Sequence, residues 1–220
     1  MDYINPNIYL TGSKRLPCLN VDIGELDQEI IDGLKSTADA AIGFAGGYDA
    51  DTGDLCALAL STQKRILTLS FLDTTTTDGP SILAESILLD PGLKKYAFNA
   101  PRLITSLASL LPALRSNEVY DLIASGKFKP HTTAAVSSIL GANVINEENV
   151  IEVFSSEICD QDDLKHTFNM TMRAWAACHI VNKRGSLPRF KTVLPFDTSL
   201  LTDDVRFPVP FIICCRLLWL

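Results

Sequence analysis

AIGFAGGYDADTGDLCALALSTQKRILTLSF, Ala41 to Phe71, sets three apolar runs around two polar breaks. Ala41 to Phe44 is compact and apolar, Leu55 to Leu60 alternates large apolar with small residues, and Arg65 to Phe71 alternates through Ile66, Thr68 and Ser70. Short runs of this kind in succession predict a β-meander. The first break, GGYDADTGD, is dense in Gly and Asp and the second, STQK, is short and polar, so both favour turns. A sheet is therefore expected early in the chain.

On the N-terminal side, residues 1–20 show no sustained period and are assigned as an arm, which forms a strand or stays extended. From Val21 the spacing of Leu26, Ile30, Ile31 and Leu34 predicts a helix with one apolar face. On the C-terminal side, Asp73 to Ser81 reads as a Thr-rich loop and Ser81 to Leu89 as an amphipathic helix closed by Asp-Pro-Gly. A short strand follows from Lys94 to Asn99. Asn99 suits an N-cap and Pro101 the first turn of a helix carrying Leu103, Ile104, Leu107, Leu110 and Leu111. A further helix is predicted from about Glu118 to Ser125. The longest spans roughly Gln161 to Asn182, with Leu164, Phe168, Met172, Trp175 and His179 on one face. Residues 186–220 form a C-terminal extension to which the pattern gives no definite structure; its apolar end reads as a packed strand or a partner-facing edge.

The chain has 220 residues, enough for one sizeable domain. Apolar residues make up 47% and charged ones 20%, which excludes global disorder. A net charge of −7 gives no overall attraction for a polyanion, so nucleic-acid binding requires a local basic patch. Lys94, Lys95, Lys127, Lys129, Lys183 and Arg184 are the candidates for phosphate contact. The six cysteines show no CxxC pair, the first residues lack a basic and apolar leader, and no apolar run approaches bilayer length. A cytoplasmic or nuclear protein with reduced thiols, away from any membrane, is expected.

Several phrases resemble the DEDD 3′-5′ exonuclease domain of the ribonuclease D type. Leu58-Ala59-Leu60-Ser61-Thr62 matches the end of that family's second strand, and Lys95 with Asn99 matches its Lys-x-x-x-Asn phrase. HTTAAVSSILG, His131 to Gly141, resembles the Asp-Thr-x-x-Ala-x-x-Leu-Leu-Gly helix with His131 in the Asp place; Val119-Tyr120-Asp121 is a rival match. Over about residues 21–185 the resemblance implies one 3′-5′ exonuclease-like domain, an α/β, ribonuclease H-like mixed sheet, three antiparallel strands then parallel ones, flanked by helices. It also implies where metal ligands belong. Ala45 and Gly47 stand in place of the Asp-x-Glu pair, and Leu103, or Arg102 one register away, in place of the next aspartate. Trp175 and His179 stand where the family has Tyr-x-x-x-Asp, whose tyrosine orients water and whose aspartate binds metal.

Two-metal phosphodiester hydrolysis needs carboxylates converging on Mg²⁺ or Mn²⁺. Alanine, glycine and leucine offer no side-chain oxygen, so the expected protein is a pseudo-exonuclease without cofactor. Its role would be binding, to single-stranded RNA or to a protein, in RNA metabolism or silencing. The alternatives are an active Mg²⁺- or Mn²⁺-dependent 3′-5′ exonuclease with relocated ligands and a dimerisation scaffold. Asp49, Asp51 and Asp54 superficially suggest a calcium loop, but Leu60 stands where its glutamate belongs and a hairpin turn is the simpler reading. Cys159, His166, Cys178 and His179 lack the close-spaced pairs of a zinc site and read as packing residues.

Overall fold

The computed structural model describes residues 2–4, 15–38, 41–71, 78–124, 131–140, 146–160, 163–183 and 190–199. Its strands are β1 (Asp2–Ile4), β2 (Leu16–Asp22), β3 (Ala41–Tyr48), β4 (Leu55–Ser61), β5 (Ile66–Ser70), β6 (Lys94–Ala97), β7 (Val119–Ala124) and β8 (Phe190–Phe196). Its helices are α1 (Gln28–Lys35), α2 (Gly79–Leu83, continued by a π turn over Ala84–Leu88), α3 (Ala100–Leu110), α4 (His131–Leu140), α5 (Glu147–Ser155) and α6 (Leu164–Asn182). The strands form one mixed sheet in the order β1-β2-β5-β4-β3-β6-β7-β8.

The meander lies at its centre. β3 pairs antiparallel with β4, and β4 antiparallel with β5, while β6 and β7 follow parallel on the other side of β3. Every residue of β3 is buried, because helices cover both of its faces. On one face Ile42, Phe44, Leu58 and Leu60 meet Ile31 and Leu34 of α1, Leu83 of α2, and Leu103 and Leu107 of α3. Small residues dominate the other face, where Ala45, Ala57 and Ala59 lie against Met170 and Ala174 of α6. A Cβ on Gly43 would collide with the Ala174 carbonyl, so glycine there sets how closely α6 approaches the sheet.

Four expectations are refined or corrected. Residues 16–20, read as part of an arm that forms a strand or stays extended, are strand: they belong to β2, which runs parallel to β5 with Cys18 opposite Ile66. Residues 119–124, expected as a helix, form β7: Val119, Asp121 and Leu122 are all buried, and pairing with β6 on one edge and β8 on the other outweighs a weak helical pattern. The boundary at residue 185 cuts off a strand of the sheet, since β8 pairs along the whole of β7. Asn99 is the N-cap residue of α3 as expected, but its backbone is left-handed (φ 60°) and its side chain makes no capping bond; Asp121 Oδ1 accepts from Ala100 N at 2.8 Å instead. The last 21 positions, with Cys214 and Cys215, lie outside the described residues, as do Lys127, Lys129 and Arg184.

Candidate functional site

The end of the sheet where β3 finishes is where the resemblance places a metal site, and a short segment, residues 156–160, fills it. Beyond the last residue of β6, β3 has a vacant edge. Tyr48 N donates to Glu157 O at 2.9 Å and Cys159 N donates to Tyr48 O at 2.8 Å, so this plug pairs with β3 as a one-residue parallel bridge at Ile158.

The alternation of β3 sends Gly43, Ala45 and Gly47 towards α6, and Phe44, Gly46 and Tyr48 towards α3. Position 47 has no room for a longer side chain. A Cβ there would stand 2.5 Å from Cys159 Cβ, 2.9 Å from Met170 Sδ and 3.0 Å from Cys159 Sγ. Ala45 packs beside the same Cys159, Met170 and Ala174. Apolar carbon and thiol sulfur thus occupy the volume that a carboxylate pair and its cations require.

Charge at the plug comes from two arginines. Arg173, buried on α6, donates from Nη2 to Gly46 O at 3.1 Å and from Nη1 to Val153 O at 3.1 Å, and also to Ser156 O. It ties together the end of β3, α5 and the plug. Arg102, on the first turn of α3, pairs with Glu157 at 2.7 Å, and its guanidinium stacks 3.6 Å from the centre of the Tyr48 ring. Asn99 Nδ2 also donates to both Glu157 oxygens, at 3.4 and 3.3 Å. Burial raises the Tyr48 hydroxyl pKa and, at the cap of α3, that of the Asp121 carboxyl.

Leu103 does not face this site. It is 1% exposed on the opposite side of the sheet, against Gly46, so the residue of the α3 first turn that reaches the plug is Arg102. Trp175 and His179 are also displaced. α6 runs antiparallel to β3, with Met170 beside Gly47 and Cys178 Sγ donating to Ala41 O, which puts His179 at the far end of the strand. The two rings stack at 4.5 Å, and burial, then the Lys183 charge, lower the His179 pKa to about 4. Cys178 and His179 are therefore at the opposite end from Cys159 and His166, whose Nδ1 accepts from Asp160 N. Asp49 builds a turn, its Oδ1 accepting from Asp51 N and Thr52 N.

The basic residues do not converge on the plug either. Lys95 is 1% exposed, its ammonium donating to Asp90 O at 3.0 Å and to Asn117 Oδ1, and burial lowers its pKa to about 8. It cannot reach a phosphate. Lys94 is exposed opposite Ala41, and Lys183 donates to Ile139 O beyond the same end of β3.

No group of three or more His, Cys, Asp or Glu side chains able to hold a metal ion occurs among the described residues. The groups beside Ala45 and Gly47 do not fit a divalent cation: they supply sulfur, methyl groups and guanidinium in place of converging oxygens. Sequence reasoning missed Arg173 and Glu157 here. A lone arginine inside MTMRAWAAC, where every other residue is small or apolar, was the available signal.

No family model and no curated protein matches the sequence. Among solved structures the chain is similar to the EXO domain of Aedes aegypti Nibbler, with a TM-score of 0.54 and 12% identity, covering 73% of this chain and 83% of that one. It is similar also to Trypanosoma brucei RNase D in a GMP complex, with a TM-score of 0.52 and 14% identity, covering 80% of this chain and 58% of that one. At such identities the likeness establishes the fold.

Proposed function

We propose that this chain, which has the DEDD-type 3′-5′ exonuclease fold, is a non-catalytic member of that architecture whose role is binding, to a protein partner in RNA metabolism or RNA silencing. The observation that carries the reading is the plug: Cys159 and Met170 take up the space beside Gly47 where the fold's second carboxylate would extend. An exonuclease with relocated ligands would need a new cluster of oxygens. Of the carboxylates around the plug, Glu157 is engaged with Arg102 and Asn99, and Asp121 with the start of α3.

A protein partner is favoured over RNA by charge and by surface. The net charge is −7, Lys95 is buried, and Lys94 and Lys183 stand at the far end of the sheet. Large apolar side chains are exposed on the segments leading into and out of the plug: Ile151 at 52%, Ile158 at 41% and Leu164 at 84%.

The test is incubation with 3′-extended single-stranded RNA and Mn²⁺, followed by a gel shift on the same RNA. The expected result is no stepwise shortening and no salt-sensitive retardation. Metal-dependent laddering would restore the enzyme reading, and a shift lost in Lys94→Glu and Lys183→Glu proteins would make RNA the ligand.

A further inference from the structure

We propose that Cys56 and Cys159 form an oxidative modification site, a dithiol that neutral hydroperoxides convert to a disulfide, fastening the plug to the sheet. A β-bulge creates it. Gly47 pairs with Ala57 and Tyr48 with Leu55, so Cys56 is the extra residue of β4. Regular alternation would put Cys56 on the face of Leu58 and Leu60; the bulge turns it to the face of Ala57, Ala59 and Cys159. Neither cysteine is in a disulfide, and although 103 positions separate them in sequence the Cys56 thiol lies against the backbone of Cys159. Cys56 Sγ also lies 3.4 Å from Gly47 O and 3.4 Å from Cys159 O. A disulfide requires the two sulfurs to close to about 2.05 Å. The plug that carries Cys159 is docked by its bridge to Tyr48, by the Arg102–Glu157 ion pair and by the Arg173 hydrogen bond to Ser156 O, and the disulfide would make that docking covalent.

The two sulfurs share a cavity of about 540 Å³ whose wall includes Asp49, Asp51, Phe71 and Asp160. Three carboxylates there repel anionic oxidants such as glutathione disulfide and leave an uncharged peroxide as the reagent class admitted. Cys159, whose Sγ packs beside Gly47 and whose residue lines this cavity, takes the role of attacking sulfur; the neighbouring Cys56 thiol, Thr167 and the Arg173 guanidinium lower its pKa against the effect of burial. Its thiolate takes the near oxygen of the peroxide, the O–O bond breaks, and the departing oxygen leaves as alcohol or water with the proton that Cys159 released. Cys56 sulfur then attacks the sulfenic acid, the S–O bond breaks, and hydroxide leaves with the Cys56 proton as water. In sum two thiols and one peroxide give one disulfide, one alcohol (or water) and one water, with two electrons passing from sulfur to oxygen.

The test uses the full chain, reduced and desalted, then exposed to hydrogen peroxide from equimolar to tenfold excess and mapped by mass spectrometry of non-reduced peptides. The Cys56 and Cys159 peptides should appear linked, lighter by two hydrogens, before any other pair of cysteines. A Cys56→Ser protein should hold Cys159 as the sulfenic acid, captured by dimedone, and glutathione disulfide should form the same link at least tenfold more slowly. Oxidation confined to the other cysteines, with Cys56 and Cys159 still thiols, overturns the proposal whether or not the variant folds. Equal rates with the two oxidants overturn the assignment of the reagent class.

Discussion

At position 47 even a methyl group meets packed atoms, with Cys159 Cβ 2.5 Å from where it would sit. Gly47→Ala is expected to cost about 1–3 kcal/mol, because a β-carbon is not the movable tip of a side chain. Shortening the neighbour should return most of it, so Cys159→Gly in the Gly47→Ala background is expected to be more stable than the sum of the two single changes, read from urea midpoints in a double-mutant cycle. Additive effects would show that the plug moves aside freely. The same crowding predicts that Ala45→Asp with Gly47→Glu gives no Mn²⁺-dependent trimming of RNA. Arg173 makes a second expectation at this scale. Its removal leaves the carbonyls of Gly46, Val153 and Ser156 buried without their donor, so Arg173→Met should cost roughly 2–4 kcal/mol in the same assay; a loss below about half of that range would mean water replaces the guanidinium. The small side chains at 45 and 47 and their place on one face of a central strand were legible from sequence, since the apolar run and the Leu58 to Thr62 phrase marked the meander there. The helix phrase was not. Trp175 and His179 have the right spacing, yet the residue beside Gly47 is Met170, nine positions from His179 and so about 13 Å along the axis. Spacing within a helix gives its face; only tertiary packing gives its height against a strand.

α6 carries the clearest pH dependence of any element. Burial, then the Lys183 charge, hold the His179 pKa near 4, below its ordinary 6.5. The unfolded chain therefore binds a proton that the folded chain refuses between those values, and stability falls as pH drops from 6.5 to 4, then levels off. The loss should reach at most about 3 kcal/mol. Comparing urea unfolding at pH 7 and pH 4.5 for the wild type and for His179→Phe, which preserves the stack on Trp175, isolates this residue from Asp121, whose raised pKa acts in the opposite sense. An identical acid loss in both proteins would remove His179 as the cause. At this scale the sequence was informative where a single period persisted. The strands of the meander and the long helix α6 lie where their patterns put them, within a few residues, and α4 lies where the family resemblance put it. β7 was misread because VYDLIA has apolar or aromatic residues on both sides of the chain, the signature of a strand buried on two faces, and that leaves no alternation to detect. β2 stayed open between a strand and an extended arm for a related reason: Pro17 and Asn20 interrupt its pattern, and a strand next to β5 and β1 depends on partners remote in sequence.

Over the whole molecule, the sheet extends past the boundaries that the resemblance suggested, and this decides what a minimal folded unit contains. The antiparallel meander with two parallel strands spans β3 to β7, but both flanks are covered, by β2 and β1 beside β5 and by β8 beside β7. β8 contributes pairing from Val119–Phe196 to Ala124–Phe190, and Phe196 packs against the main core. Just beyond it, Thr198 N donates to Ser116 O at 2.8 Å while Ser116 N donates to Thr198 Oγ1 at 2.9 Å, a reciprocal clasp at the start of β7. Ending the chain at residue 185 would remove all of this. β7 would then present an unpaired edge of six residues, rich in Val, Tyr, Leu and Ile, which is a template for pairing with another copy. Such a truncated protein is expected to sediment as concentration-dependent aggregates and to melt several degrees lower than the full chain, as a loss of a few kcal/mol shifts the midpoint by roughly 2–4 °C for each. Thr198→Ala in the full chain separates the two contributions: it opens the clasp while leaving the edge covered, and should lower the midpoint without aggregation. A truncated chain that remains monomeric with an unchanged midpoint would show that the sheet ends at β7 and that β8 is an addition to it.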